Sequence, residues 1–249
     1  MQQNSEAGTS KISRTYSGEP GTSSREMSTA RSQHPGARRL PLLSGVGIAG
    51  SVAGSAALVA LHFVRPDVND TDLISAYAVG PYGWLMVAAF LALGIGALAV
   101  AFGLRRAITP SRWSMVGSLL VGLFGVGFVL AGIFPVGGCR DVECVARFES
   151  DTNLPITAAA MAHGVGSLLG ILLLIAGMFV LARAFKRDPR WKSFRRWSLV
   201  LGLAALLQFG FPGEGMVAVI LMRTLVSTLI VWLLLAALRL RSIARESVA

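Results

Sequence analysis

Four polar side chains lie inside or at the ends of long apolar stretches of the chain, where a membrane would make each of them costly to bury. They are His62, His163, Gln208 and Arg223. A polar side chain in such a setting needs a partner and is a candidate for contact with a ligand or an ion. Histidine can also take up a proton near neutral pH, and a guanidinium can hold an anion. We therefore treat these four residues as candidate ligand-binding residues.

The elements that must position these residues are helices in a membrane. Hydrophobic residues make up 53% of the chain and charged residues only 14%. The apolar residues form blocks of roughly 20, the length that a transmembrane helix needs, without the alternation typical of a barrel strand. The sequence predicts an all-α polytopic membrane protein, a bundle of six transmembrane helices. The predicted spans are residues 42–64, 83–104, 115–134, 158–182, 197–211 and 216–238.

The chain divides into a membrane domain and two tails. Residues 1–40 are rich in Ser, Thr, Gly and Gln and have too little apolar surface to offset the entropy of ordering them, which predicts a disordered tail. Residues 41–241 form the predicted transmembrane domain, and residues 242–249 a short second tail. The fifth span, 197–211, is the shortest, and local thinning of the bilayer would accommodate it.

Basic residues predict the orientation of the bundle. Most of the 23 Lys and Arg residues lie in the two tails and in the segments 105–112 and 183–196, whereas the segments 65–82 and 135–157 are rich in Asp and Glu. Basic loops stay in the cytoplasm, so both termini are predicted to be cytoplasmic. The net charge of +10 is then explained by topology and by contact with anionic lipid. We expect membrane lipids as partners, no nucleic acid, and protein partners that the sequence does not identify.

The two cysteines of the chain, Cys139 and Cys144, lie in the second predicted outer loop, on the oxidising side of the membrane. Their spacing favours a disulfide, which would add roughly 2 kcal/mol by closing a short loop. The alternatives are free thiols or a metal site, for which two thiols without a nearby histidine are a poor set. We expect neither a metal nor a cofactor.

On this topology all four candidate residues fall in the outer half of the membrane. Arg223 would lie roughly 10 Å below the outer boundary and needs a partner there. The acidic residues within its reach are Glu214, Asp67, Asp70 and Asp72. One interpretation is an outward-facing polar pocket in which Arg223 binds a lipid headgroup or another small anion, with His163 and Gln208 as hydrogen-bonding partners. The structural alternative is a snorkelling arginine and histidines that hydrogen-bond within helix contacts.

Two stretches of the chain together resemble a known family. They are Ile74-Ser75-Ala76-Tyr77-Ala78-Val79-Gly80-Pro81-Tyr82-Gly83-Trp84, and Ala131-Gly132-Ile133-Phe134-Pro135 with the later pair His163-Gly164. They resemble the bacterial membrane family known as domain of unknown function 998, and the resemblance covers about residues 42 to 240. In that family an Asp usually follows Phe-Pro, whereas here Val136-Gly137-Gly138 leads to Cys139. The resemblance implies six helices and a bacterial inner membrane, and it implies no activity.

Three functions fit these observations. The first is a pocket that binds or moves a small amphiphile or ion without covalent catalysis. The second is a membrane enzyme that acts on a lipid headgroup with His163 as the base, which would require a second titratable group near His163. The third is a structural or sensory membrane partner without catalysis.

Overall fold

The computed structural model describes residues 39–69, 74–134, 143–144, 157–211 and 213–246. These residues form six long α-helices and no strand, so the predicted all-α class is confirmed. The helices are α1 (Leu40–Val64), α2 (Gly83–Ala107), α3 (Arg112–Ile133), α4 (Ala158–Phe185), α5 (Phe194–Gly210) and α6 (Met216–Glu246). Each covers one of the predicted spans to within a few residues, except that α6 continues well beyond residue 238.

Five of these helices, α1 to α4 and α6, are long and apolar enough to cross a membrane. The chain is therefore a multi-pass membrane protein whose apolar helices contact lipid. Helix α5 has 17 residues, or about 25 Å at about 1.5 Å per residue, which is shorter than a hydrocarbon core of about 30 Å.

The helices form a closed ring. Each helix packs against the next one in the chain, and α6 returns to pack against α1 and α2. One end of the ring, which we call the basic end, holds the last turns of α2 and α4 and the first turns of α3 and α5, with Arg105, Arg112, Arg183 and Arg195 among its residues. The candidate residues His62, His163, Gln208 and Arg223 all lie towards the other end, which we call the opposite end.

A buried carboxylate ties the loops of the basic end together. Asp188 is 1% exposed and accepts hydrogen bonds from the backbone N–H and the hydroxyl of Thr109, each at 3.0 Å, and from Arg190. Arg190 in turn donates to the carbonyl of Ala107 at 2.7 Å. Burial alone would raise the pKa of Asp188, but the hydrogen bonds from Arg190 and Thr109 outweigh it and hold the pKa below its ordinary value.

Glycines bring neighbouring helices into backbone contact. A methyl group on Gly127 of α3 would collide with the carbonyl oxygen of Gly166 on α4, and one on Gly125 would lie 2.7 Å from the carbonyl oxygen of Gly94 on α2. Lipid tails provide no hydrophobic drive for helix association, so close approach through small residues is a main source of contact. These glycines hold α2, α3 and α4 side by side.

We expect Gly127→Ala to lower the free energy of unfolding by about 2 kcal/mol, because the added methyl group must push α3 away from α4. The matched control is Gly45→Ala in α1, where a methyl group would meet no atom within 4 Å. There the higher helix propensity of alanine should leave stability unchanged or raise it by up to about 1 kcal/mol. Unfolding by dodecyl sulfate in mixed micelles, followed by circular dichroism, measures both variants. Equal stability of the two would contradict the close α3–α4 contact.

Candidate functional site

His163 lies in the second turn of α4 and is 3% exposed. Its Nδ1 lies 3.0 Å from the carbonyl oxygen of Ala131 and 2.9 Å from that of Phe134, both at the end of α3. Because carbonyl oxygens can only accept, Nδ1 must carry the proton and donate to them. In the neutral imidazole the other nitrogen, Nε2, is then an acceptor, and it is buried without a partner among the described residues.

The sequence explains why the end of α3 needs this donor. In a continuing helix the carbonyl of Ala131 would accept from the backbone N–H of residue 135, but residue 135 is a proline and has no N–H. His163 supplies the missing donor from the neighbouring helix. The motifs Ala131-Gly132-Ile133-Phe134-Pro135 and His163-Gly164 are thus two halves of one contact.

His163 also lines a cavity of about 490 Å³ at the opposite end of the bundle. Five of the helices and the short 3-10 helix Ile74–Ala78 contribute to its wall. Its described lining is apolar apart from Ser75, His163 and Ser167. The Ser167 hydroxyl already donates to the carbonyl of His163 at 2.8 Å, so it is occupied within its own helix.

The cavity reaches the surface of the bundle along α4. Met161, Val165 and Leu168 line it and are themselves 55%, 54% and 54% exposed. Gly164 also lines it, and a side chain at that position would extend into open space. A helix flank that is exposed and apolar in a membrane protein faces lipid, so the open side of the cavity faces lipid.

Arg65, at the end of α1, forms a second polar centre at the opposite end. It is 3% exposed, and its Nη1 donates to the carbonyls of Val79 at 2.6 Å and Pro81 at 2.8 Å. Its Nε and Nη2 donate to the carboxylate of Asp67 at 3.0 and 2.9 Å. These hydrogen bonds hold the pKa of Asp67 below its ordinary value. Arg65 thereby fastens the turn before α2 to the end of α1.

Arg223 lies two turns into α6 and is half-buried. Its guanidinium is 3.1 Å from Nδ1 of His62 and donates to the backbone carbonyl of Asn69 at 2.5 Å. Because a guanidinium only donates, Nδ1 of His62 is the acceptor. The guanidinium also lies 5.9 Å from the centre of the Tyr77 ring, and the Tyr77 hydroxyl donates to the side chain of Asn69. Burial raises the pKa of Tyr77 despite this nearby cation.

Arg223 forms no ion pair among the described residues. Asp67 binds Arg65 instead, and Glu214 makes no ion pair with Arg223. Asp70 and Asp72 lie outside the described residues. The guanidinium is therefore held by neutral acceptors, an arrangement that leaves its charge available to an anion.

The four candidate residues do not form a single site. His62 and Arg223 are in direct contact, and His163 lines the cavity. Gln208 lies on the α5–α6 contact, where it accepts a hydrogen bond from the Thr228 hydroxyl at 3.1 Å. Cys144 is half-buried against the hydrophobic core. Cys139 lies outside the described residues, so the disulfide stays a prediction.

Sequence reasoning missed the role of Arg65, which lies at the start of the acidic segment 65–82. The signal was a cation directly at the end of an apolar run with an acid two residues later. Asn69 and Tyr77 were missed as partners of Arg223 because their contact depends on the fold of the segment between α1 and α2. No sequence pattern marks such a contact.

Comparison with known proteins gives a family and no activity. No curated protein and no solved structure matches the chain. The model of the family described as "Protein of unknown function (DUF998)" matches residues 48–239, which is most of the chain and includes every candidate residue named above. This confirms the resemblance carried by the segment before α2 and by the motifs Ala131-Gly132-Ile133-Phe134-Pro135 and His163-Gly164, and the chain belongs to the DUF998 family.

Proposed function

We propose that the protein crosses a bacterial inner (plasma) membrane six times, with α5 as a short sixth span and both termini in the cytoplasm. Residues 1–40 and 242–249 would then be cytoplasmic tails. The basic end of the bundle supports this orientation, because loops rich in Lys and Arg remain in the cytoplasm. The opposite end, with Arg223 and the cavity, would face outwards.

We propose further that the protein binds or moves a small amphiphile whose apolar body occupies the cavity. The observation that carries this proposal is the cavity itself, about 490 Å³ with an almost wholly apolar wall. Its volume falls within the range of roughly 300 to 1,000 Å³ typical of small-molecule sites. Nε2 of His163 is buried without a described partner next to this wall, and a ligand with a hydroxyl or amide donor would satisfy it if the wall side chains moved aside.

The polar part of the ligand would lie towards Arg223. Met222 and Val226 of α6 line the cavity, and Arg223 lies between them in the chain. Ser75 lines the cavity as well, two residues before Tyr77, which packs against the Arg223 guanidinium. An anionic head group next to this guanidinium would complete the site. We leave Gln208 out of this proposed site, because its side-chain oxygen accepts a hydrogen bond from Thr228 on the α5–α6 contact.

The enzyme alternative with His163 as base has no specific observation in its favour. It requires a second titratable group beside His163, and the described hydrogen-bond partners of the imidazole are two backbone carbonyls.

Gly164→Phe tests the cavity. Position 164 lines the cavity with open space around it, so the new ring should block the cavity without disturbing helix packing. Gly45→Phe is the matched control, since that position also has no atom within 4 Å. Native mass spectrometry of protein released from membranes should show a bound amphiphile on the wild type and on Gly45→Phe, and at least about fivefold less on Gly164→Phe. Equal amounts on all three would overturn the proposal.

Arg223→Gln tests the position of the head group. Glutamine is two bonds shorter than arginine and does not reach the Asn69 carbonyl or His62, so the change removes the charge together with these two contacts, and thermal stability is measured alongside. We expect it to retain less anionic amphiphile than the wild type and the same amount of uncharged amphiphile, whereas Arg245→Gln at the basic end retains both. Unchanged retention of the anionic amphiphile by Arg223→Gln would place the head group elsewhere.

A further inference from the structure

A second cavity lies at the basic end, between the last turns of α4 and the first turns of α5. Its volume is about 460 Å³. Four basic side chains line it: Arg183, Lys186, Arg187 and Arg195. Its remaining described lining is apolar and consists of Phe179, Ala182 and Leu199. We call it the basic groove. It shares no residue with the apolar cavity near Arg223.

The positive charge of the basic groove is not neutralised by the described part of the chain. None of its four basic residues takes part in an ion pair there. The nearest carboxylate in sequence, Asp188, is buried and is bound by Thr109 and Arg190. Arg183 lies over the ring of Trp113, with 4.8 Å between its guanidinium carbon and the ring centre, which fixes its direction without cancelling its charge.

The start of α5 adds to this positive potential. Its N-cap residue, Ser193, makes no side-chain capping hydrogen bond, and its first turn contains no acidic residue. Arg195 and Arg196 lie in that turn, where the positive end of the helix dipole repels them. An anion in the basic groove would relieve this repulsion and compensate the four basic side chains.

We propose that the basic groove binds the phosphate group of an anionic phospholipid. The phosphate group of the lipid would interact with the four basic side chains. The acyl chains of the lipid would run from the groove along Phe179 and Leu199. Below Leu199 the flank of α5 continues as exposed apolar residues, with Val200 at 60% and Leu203 at 52% exposed. Trp197, 57% exposed on the same helix, suits the headgroup layer beside it. A free phosphate has no acyl chains to contact these apolar residues, so they favour a phospholipid over a free phosphate.

The test compares two sets of four substitutions in the full-length protein. The groove variant is Arg183→Gln, Lys186→Gln, Arg187→Gln and Arg195→Gln. The control variant, Arg105→Gln, Arg106→Gln, Arg241→Gln and Arg245→Gln, removes the same charge from exposed residues at the same end but outside the groove. Each protein is titrated in detergent with phosphatidylglycerol, with phosphatidylcholine of the same acyl chains, and with inorganic phosphate. Native mass spectrometry counts the bound lipids.

We expect the groove variant to bind phosphatidylglycerol at least about tenfold more weakly than the wild type, and the control variant to stay within about twofold. Wild-type protein should prefer phosphatidylglycerol to phosphatidylcholine, and millimolar inorganic phosphate should not displace it. Equal losses of phosphatidylglycerol affinity in both variants would show that net charge alone explains the binding, and this would overturn the proposal. Displacement by inorganic phosphate would overturn the lipid assignment. If the groove variant does not fold, the double variant Arg187→Gln, Arg195→Gln replaces it, with Arg105→Gln, Arg241→Gln as its control.

Discussion

Replacing Arg65 with leucine is expected to destabilise the protein by about 3 kcal/mol. Arg65 is 3% exposed, and the substitution leaves the carbonyls of Val79 and Pro81 without their donor. Val79 is buried, and a buried acceptor that loses its partner costs about 1 to 3 kcal/mol, whereas Pro81 is exposed and its carbonyl can bind water instead. The turn between α1 and α2 should loosen, since Arg65 connects it to the end of α1. Dodecyl sulfate unfolding of the purified protein measures the change.

Asp67→Ala separates the two kinds of contact that Arg65 makes. It removes the ion pair but leaves both carbonyl hydrogen bonds, and the Asp67 side chain is 55% exposed, so the loss of stability should be much smaller than for Arg65→Leu. Because Arg65 lowers the pKa of Asp67, the contribution of the pair is present at neutral pH and is lost as the pH falls through the pKa of the folded state. Equal destabilisation by the two substitutions would show that the ion pair, and not the carbonyl contacts, holds the turn.

Replacing His163 with alanine is expected to cost about 3 kcal/mol and to abolish retention of the amphiphile. The substitution removes the donor shared by the carbonyls of Ala131 and Phe134 and leaves empty space in a buried position. These two consequences have different origins, because Nδ1 contacts the end of α3 whereas Nε2 has no described partner.

Asparagine and glutamine at position 163 distinguish these two roles. The amide nitrogen of asparagine can take the place of Nδ1, so His163→Asn should recover most of the stability and still lose the ligand. The amide of glutamine reaches the place of Nε2 instead, so His163→Gln should stay destabilised and retain more ligand than His163→Asn. Thermal unfolding and native mass spectrometry on the same samples provide both readouts. If stability and ligand retention changed together in both variants, His163 would have a structural role only.

The helices could be predicted from the sequence because length and polarity determine them. Apolar blocks of about 20 residues, with Pro110 and Pro135 near helix ends, mark α1 to α5 to within a few residues. The closure of the ring by α1 and α6 could not be predicted, since it depends on how glycines and small side chains fit together in three dimensions. The extension of α6 to Glu246 was missed because its last turns carry arginines and lie beyond the apolar run.

The individual residues of the site could be predicted, but their grouping could not. The cost of burying a polar side chain in a membrane was enough to identify His163 and Arg223 as candidate residues. Pro135 implied an unpaired carbonyl at Ala131, yet nothing in the sequence assigns His163 to it across 32 positions. The contact between His62 and Arg223 joins the first helix to the last. Gln208 is also a polar residue in an apolar run, like these residues. It differs from them because its side chain lies on the α5–α6 contact.

The contact between α1 and α6 also determines when the protein can complete its structure during synthesis. Arg223 follows its partner His62 by 161 residues, so at about 5 to 20 residues per second the ribosome needs about 10 to 30 s to deliver it. Throughout that interval the nascent chain holds α1 in the membrane without the helix that covers its free side. A polypeptide released before Met216 is made never acquires that cover, so the face of α1 that α6 packs against in the finished protein stays exposed.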